Sequence, residues 1–125
     1  MTKAWWEKIL YNYPQSLEAC KKYFQHRYQD QWRDRIQNYL LVIEFFEANY
    51  IPIYIHWKHH QSGKKYGFKI QVKGTIKIQM DYVFSDSEKA AVEAIPYAFK
   101  ILEWRISQGK YRVKIDGYGR REKRK

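Results

Sequence analysis

Residues 51–84 read IPIYIHWKHH QSGKKYGFKI QVKGTIKIQM DYVF, and this stretch decides the fold. Apolar residues occupy the odd positions of 51–57 and the even positions of 66–72 and 76–84, and such alternation is typical of strands with one buried face. We therefore predict three antiparallel strands, with a loop at 59–64 and a turn at Gly74. Because the apolar positions of the last two strands share parity, we expect an odd-length connection between them, at 73–75.

The other face of this predicted sheet is basic. Residues 51–84 contain six lysines and one aspartate. Five of the lysines alternate with the apolar positions and are the candidate phosphate-binding residues: Lys58, Lys65, Lys69, Lys73 and Lys77. Beside them, the candidate side chains for stacking on bases are Tyr54, His56 and Tyr66. Lysines near aromatic rings on one surface are typical of nucleic-acid binding.

Helices are predicted before the sheet. Trp5, Trp6, Ile9 and Leu10 form a short apolar turn, and Pro14 suits the first turn of a new helix. Apolar residues then recur at helical spacing over 17–28 and again over 32–46, which predicts two N-terminal helices. Cys20 lies on the first stripe and is expected to be a small core residue.

A long helix is predicted after the sheet. Ser85 and Glu88 form a capping box at its start, and Gly109 ends it. Residues 110–115 alternate basic and apolar side chains and predict an extra C-terminal strand. The fold class is therefore α+β: two N-terminal helices, a three-stranded antiparallel sheet, a long C-terminal helix and that extra strand.

Charge points to a polyanionic partner or to a protein that presents an acidic surface. The 125 residues include 24 lysines and arginines against 13 acidic residues, a net charge of +11. We predict a single domain over 1–119 and a basic tail over 120–125. The C-terminal candidates for contacts with nucleic acid are Lys110, Arg112, Lys114, Arg120, Arg121, Lys123, Arg124 and Lys125.

Several kinds of site are not expected. Cys20 is the sole cysteine, which excludes an internal disulfide and a zinc site built from cysteines. The one histidine cluster, His56-x-x-His59-His60, has no carboxylate or cysteine at a usable spacing, so we predict no metal and no cofactor. No nucleophile motif is present, so we predict no catalytic residues and no enzyme activity. We also expect neither a signal peptide nor a membrane span.

Aromatic residues leave room for a protein contact. Trp5, Trp6, Trp32, Trp57 and Trp104 are expected mainly in the core. Trp5 and Trp6 are adjacent, so both cannot face the same interior. Tyr97, Ile101 and Trp104 lie off the main stripe of the last helix. A homodimer contact is one interpretation of this second apolar side, and a core that wraps the helix on two sides is the other.

Two segments carry a resemblance. The opening segment is Trp5-Trp6-Glu7-x-x-Leu10-x-x-Tyr13-Pro14, and the late segment is Ser87-Glu88-Lys89-Ala90-Ala91 followed by Ala98-Phe99-x-Ile101-Leu102-Glu103. Together they resemble small uncharacterised proteins of Bacteroidetes phages and prophages. This resemblance implies a mobile-element origin and a bacterial cytoplasm. Proteins of that size and origin include inhibitors of host defence, among them anti-CRISPR proteins.

Residues 32–106 also resemble double-stranded-RNA-binding domains in the order of their elements: a helix, three antiparallel strands and a helix. Residues 59–65 lie where that family inserts a loop into a minor groove. The family has several lysines at the start of its last helix, where this chain has Ser85-Asp86-Ser87-Glu88-Lys89. No binding residues are therefore transferred from this family.

The sequence predicts a non-enzymatic protein that binds RNA, or a ribonucleoprotein nuclease that it inhibits. Replacing Lys69, Lys73 and Lys77 with glutamate is expected to abolish binding. Three alternatives stay open: a small RNA-cleaving toxin that uses Arg, Lys, His or Tyr chemistry, a phage structural or assembly protein, and a plain binder of double-stranded RNA.

Overall fold

The structure, a computed structural model, describes residues 1–73, 75–109 and 111–115. Five α-helices and three strands lie in these residues. In chain order they are α1 (Lys3–Asn12), α2 (Pro14–Tyr28), α3 (Trp32–Arg35), α4 (Tyr39–Ala48), β1 (Ile53–His60), β2 (Gly63–Val72), β3 (Thr75–Phe84) and α5 (Ser87–Ser107). A short 3₁₀ turn, Gln29–Gln31, lies between α2 and α3. The predicted α+β class, with its three-stranded antiparallel sheet and long C-terminal helix, is confirmed.

The sheet has the order β1-β2-β3, and its strand pairing corrects the predicted turn. Val72 pairs with Thr75, so two residues rather than three connect β2 to β3. The expected parity is nevertheless present, because Ile70 pairs with Ile78. A β-bulge that leaves Lys77 as the extra residue of β3 supplies the one-residue shift. Likewise, β1 continues to His60 and the predicted 59–64 loop shrinks to Gln61 and Ser62.

The helix α5 lies between the sheet and the other helices. It packs against all three strands on one side and against α1, α2 and α4 on the other. Phe99 of α5 is fully buried and meets Phe46 of α4 edge-on, with ring centroids 4.8 Å apart. Tyr97 of the same helix packs near Phe68 of the sheet. This position between two layers explains why α5 is apolar on more than one side.

The predicted second helix is broken in two. The helix ends at Arg35, and α4 begins at Tyr39 with Asn38 as its N-cap. The Asn38 side chain accepts a hydrogen bond from the backbone N–H of Leu40. The cap of α5 also differs from the prediction. Asp86, not Ser85, accepts the hydrogen bond from the N–H of Lys89 at 2.8 Å.

A carboxylate of α5 caps the start of α2. Glu103 accepts hydrogen bonds from the backbone N–H of Ser16 at 2.8 Å and from the side chain of Gln15 at 3.1 Å. Partial burial raises the pKa of the Glu103 carboxyl, but these hydrogen bonds outweigh it and the net pKa is below the ordinary value. The contact joins residues 87 positions apart in sequence and stabilises the N-terminus of α2.

The predicted C-terminal strand is not present in residues 111–115. Instead, these residues bind Asn49, a wholly buried amide that follows α4. The hydroxyl of Tyr111 donates to Asn49 Oδ1 at 2.7 Å, and the N–H of Lys114 donates to the same oxygen at 2.7 Å. Val113 and Ile115 lie beside α2 and α5. The alternation that suggested a strand therefore reflects packing of apolar side chains against helices.

Among the described residues, no helix combines the length and the apolar character that a bilayer crossing requires.

Candidate nucleic-acid interface

The sheet face remote from α5 is here called the outer face. Strand alternation places on it Tyr54, His56 and Lys58 of β1, Lys65, Lys69 and Gln71 of β2, and Gln79 and Asp81 of β3. Tyr54 faces Lys69 directly, and the ammonium Nζ of Lys69 lies 5.6 Å from the centre of the Tyr54 ring. The structure therefore brings three of the five predicted lysines together with two of the predicted stacking residues.

Two of these lysines oppose each other. Lys58 and Lys65 are directly paired across β1 and β2, and like charges in that position destabilise a sheet. Within the described residues, none of the lysines of the outer face forms an ion pair with a carboxylate. Their charge is therefore available to a ligand rather than neutralised inside the protein.

Tyr82 joins the outer face, although the alternation of β3 predicted it in the core. Phe68 pairs with Met80 and Tyr66 pairs with Phe84, so the single residue between them in β2 opposes the three residues 81–83 of β3. Tyr82 lies in this irregular segment with a positive φ of 52°. Its ring meets the ring of His56 edge-on at 5.1 Å, and Lys58 Nζ lies 4.5 Å from its centre. Tyr82 thus adds a second cation–π contact to the outer face.

Gly67 permits this arrangement. It is the residue of β2 that opposes residues 81–83 of β3. A Cβ built on it meets the carbonyl oxygen of Met80 and lies 2.7 Å from Tyr82 N and from His56 Cε1. No real Cβ tolerates such distances, so only glycine allows β3 and the imidazole of His56 to approach this closely.

A shallow depression of about 400 Å³ lies at the centre of the outer face, beside His56. His56 Nε2 is 3.9 Å from Asp81 Oδ1, and the amide of Gln79 donates to that oxygen at 2.7 Å. His56 Nδ1 is buried and has no hydrogen-bond partner among the described residues. Nε2 is therefore the histidine nitrogen that a ligand can reach.

The remaining predicted residues lie elsewhere. Lys73 follows β2 at the end of the sheet, with a positive φ of 55°, and Lys77 is exposed at its bulge in β3. Tyr66 pairs with Trp57 and shares the helix-facing side of the sheet, so it is not beside Tyr54. Arg112 and Lys114 belong to the segment held by Asn49 and not to the sheet. Lys110 and the tail over 120–125 are outside the described residues.

The histidine cluster is split between the two faces. Alternation puts His56 and His60 on the outer face and His59 on the other, where its ring lies 5.3 Å from that of Trp57. Within the described residues, no three of the His, Cys, Asp and Glu side chains group as metal ligands. Cys20 is fully buried, and this burial raises the pKa of its thiol well above the usual value, as befits a core residue.

A larger groove, of about 910 Å³, adjoins one end of the sheet. Trp104 of α5 lines it and is 64% exposed, although the sequence placed this tryptophan mainly in the core. Tyr50 and Tyr54 also line the groove, and both are more than 40% exposed. The one sequence signal for this site is that Trp104 lies off the main apolar stripe of its helix.

Comparisons of the chain with protein-family models, with curated proteins and with solved structures found no match.

Proposed function

We propose that this protein binds RNA through the outer face of its sheet and catalyses no reaction on it. The observation that carries the proposal is the direct pairing of Lys58 with Lys65, beside Lys69 and with Asp81 as the one carboxylate of that face. Two lysines at directly paired positions do not stabilise a sheet. A polyphosphate backbone bound across them converts that repulsion into attraction and releases counterions.

Aromatic rings among the lysines favour nucleic acid over a simple acidic surface. Tyr54 and Tyr82 each lie within cation–π distance of a lysine on the outer face. Rings held in this way offer π-faces to unstacked bases while their neighbouring ammonium groups contact phosphates. Such bases are displayed by the loops and single-stranded segments of RNA, which makes RNA the expected ligand.

Fluorescence anisotropy with labelled single-stranded RNA, duplex RNA and duplex DNA, each over a salt series, tests the proposal. We expect binding to RNA with a steep decrease in affinity as salt rises. Absence of binding to every nucleic acid at physiological salt rejects the proposal and favours a protein partner, including the phage assembly role. Binding that is insensitive to salt also contradicts it.

The proposal extends to RNA carried by a nuclease in the cytoplasm of a bacterial host. The likeness of 5–14 and 87–103 to phage proteins supports an inhibitor of a host defence nuclease, as anti-CRISPR proteins are. In that role the outer face engages guide RNA exposed on the effector. The test is cleavage of target by an RNA-guided nuclease with and without this protein. Binding to free RNA without inhibition rejects the extension alone.

Metal-independent RNA cleavage is the second candidate, favoured by the closeness of His56 to Asp81 in a depression that Lys69 also lines. In this reaction His56 Nε2 takes the proton of a ribose 2′-hydroxyl, whose oxygen attacks the adjacent phosphorus. The bond from phosphorus to the 5′ oxygen breaks, that oxygen takes a proton from water, and the hydroxide left behind receives the proton that His56 holds. Products are a cyclic phosphate and a 5′-hydroxyl. RNA left intact by wild-type protein in a chelating buffer rejects this candidate, whereas cleavage lost in His56→Gln supports it.

A further inference from the structure

The groove next to the outer face has walls from five parts of the chain. It is lined by Glu47 at the end of α4, Tyr50 and Pro52 before β1, Lys73 after β2, Trp104 near the end of α5, and Tyr111 in the segment after α5. Its volume of about 910 Å³ is in the range of sites that hold a small molecule or a nucleotide. The question is which chemistry fits this lining.

Aromatic rings dominate the apolar part of the lining. Among the described residues that line the groove, Pro52 is the one apolar side chain that is not aromatic. The aromatic residues are Tyr50, Tyr54, Trp104 and Tyr111. Docking sites for peptide helices take aliphatic anchors into an apolar groove. Broad rings that are 43%, 45% and 64% exposed at Tyr50, Tyr54 and Trp104 instead suit a flat partner that stacks.

Arg105 and Lys73 bring two positive charges to the lining of the groove, and Glu47 brings one negative charge. The guanidinium of Arg105 donates from Nη1 to the carbonyl of Asn49 at 2.8 Å and lies 5.3 Å from the centre of the Tyr111 ring. Tyr111 in turn donates to the buried Asn49 side chain. These contacts fix a cation and a ring in place before any ligand arrives, which lowers the entropic cost of binding.

The groove is continuous with the outer face. Tyr54 lines both the groove and the smaller depression beside His56. Lys69 belongs to the outer face, and its ammonium group lies near the Tyr54 ring, whereas Lys73 lines the groove. A nucleic-acid strand whose backbone follows the lysines of the outer face therefore reaches the groove at Tyr54.

From these contacts we infer that the groove holds unpaired bases of a single-stranded RNA segment whose backbone lies on the outer face. This inference rests on the proposed RNA binding and adds that the ligand is single-stranded. In a duplex the bases are paired and stacked on each other, so their faces cannot meet Trp104 or Tyr54. Arg105 and Lys73 neutralise the phosphates on either side of the stacked bases.

Trp104→Ala is the decisive variant, and Trp57→Ala is its matched control. Both tryptophans are about half exposed or more, and Trp57 lies near His59 and Lys64 on the helix-facing side of the sheet. We measure binding of a short single-stranded RNA that contains 2-aminopurine, together with binding of the same sequence as a duplex. Circular dichroism and thermal melting verify that both variants fold.

We expect wild-type protein to bind the single strand more tightly than the duplex and to quench 2-aminopurine fluorescence. Loss of one stacked base in Trp104→Ala is expected to weaken single-strand binding about 5- to 150-fold, with duplex binding unchanged. Trp57→Ala is expected to behave as wild type. Equal binding of both RNAs without quenching, or an unchanged affinity in Trp104→Ala, overturns the inference and leaves the basic outer face intact. No binding to either RNA overturns the proposed function itself.

Discussion

Replacing Lys58, Lys65 and Lys69 with glutamine tests how the outer face uses its charge. The three side chains share that face and, within the described residues, form no ion pair with a carboxylate. If each neutralises one phosphate of single-stranded RNA, the slope of log affinity against log salt loses about 0.7 for each lysine, or about 2 in total. For a fourfold rise in salt, the wild-type affinity then falls about 18-fold further than that of the variant.

The assay is a salt titration of RNA binding by fluorescence anisotropy, with a control variant of equal charge. In the control, Lys3, Lys8 and Lys22 become glutamine. They are exposed on α1 and α2, which pack against α5 on the side opposite the sheet. We expect the control to keep the wild-type slope to within about one phosphate contact. Equal slopes in all three proteins, or an equal decrease in both variants, refute a localised site and leave general attraction between opposite charges.

Three other changes have expected outcomes. Lys65→Glu places a carboxylate opposite Lys58, so thermal melting should show a gain of about 0.2–1 kcal/mol while RNA binding weakens. Glu103→Gln removes a carboxylate whose pKa is lowered in the folded state. The stabilisation that the Glu103 carboxylate provides is present at pH values above its pKa in the unfolded chain. It is lost as the pH falls through the lower pKa that the carboxyl has in the folded state. Urea unfolding should therefore show a deficit of about 1–2 kcal/mol at neutral pH that disappears in acid. Gly67→Ala puts a methyl group against the β3 backbone and should cost about 1–3 kcal/mol in unfolding free energy, which a neutral result would contradict.

Periodicity predicted the sheet because the outer side of each strand is polar. The same reasoning failed at Tyr82, because alternation assumes that every residue advances the strand by one pleat. Residues 81–83 oppose a single glycine, and the left-handed backbone of Tyr82 turns its ring to the other side. A glycine within the strand pattern, Gly67, was the available signal for a bulge.

The helical layer shows a different limit of sequence reasoning. Stripes of apolar residues predict that a helix has a buried side, but they do not show what covers it. Trp104 lies off the stripe of α5 and lines an open groove, whereas Tyr97 also lies off the stripe and packs near the sheet. The difference depends on where the sheet ends relative to α5, and no local pattern encodes that.

The candidate site was predictable in its charge but not in its geometry. Alternation placed Lys58, Lys65 and Lys69 on one face, and the structure agrees. It could not place Arg112 and Lys114, because their position depends on a long-range bond to the buried side chain of Asn49. Asn49 also bonds locally, since its amide nitrogen donates to the carbonyl of Phe45 at 2.9 Å, and only the tertiary structure shows its second role.

The irregular pairing of β3 also bears on how copies of this chain behave at high concentration. A three-stranded sheet has two open edges, and a straight open edge invites strands of other molecules to add to it. β3 forms one of these edges, and its two irregularities, with exposed Lys77 at one of them, break the regular ladder that an added strand would need. The same deformation that brings Tyr82 to the outer face thus protects one side of the sheet from aggregation. β1, which pairs without a bulge, is the edge where strand addition between copies would begin.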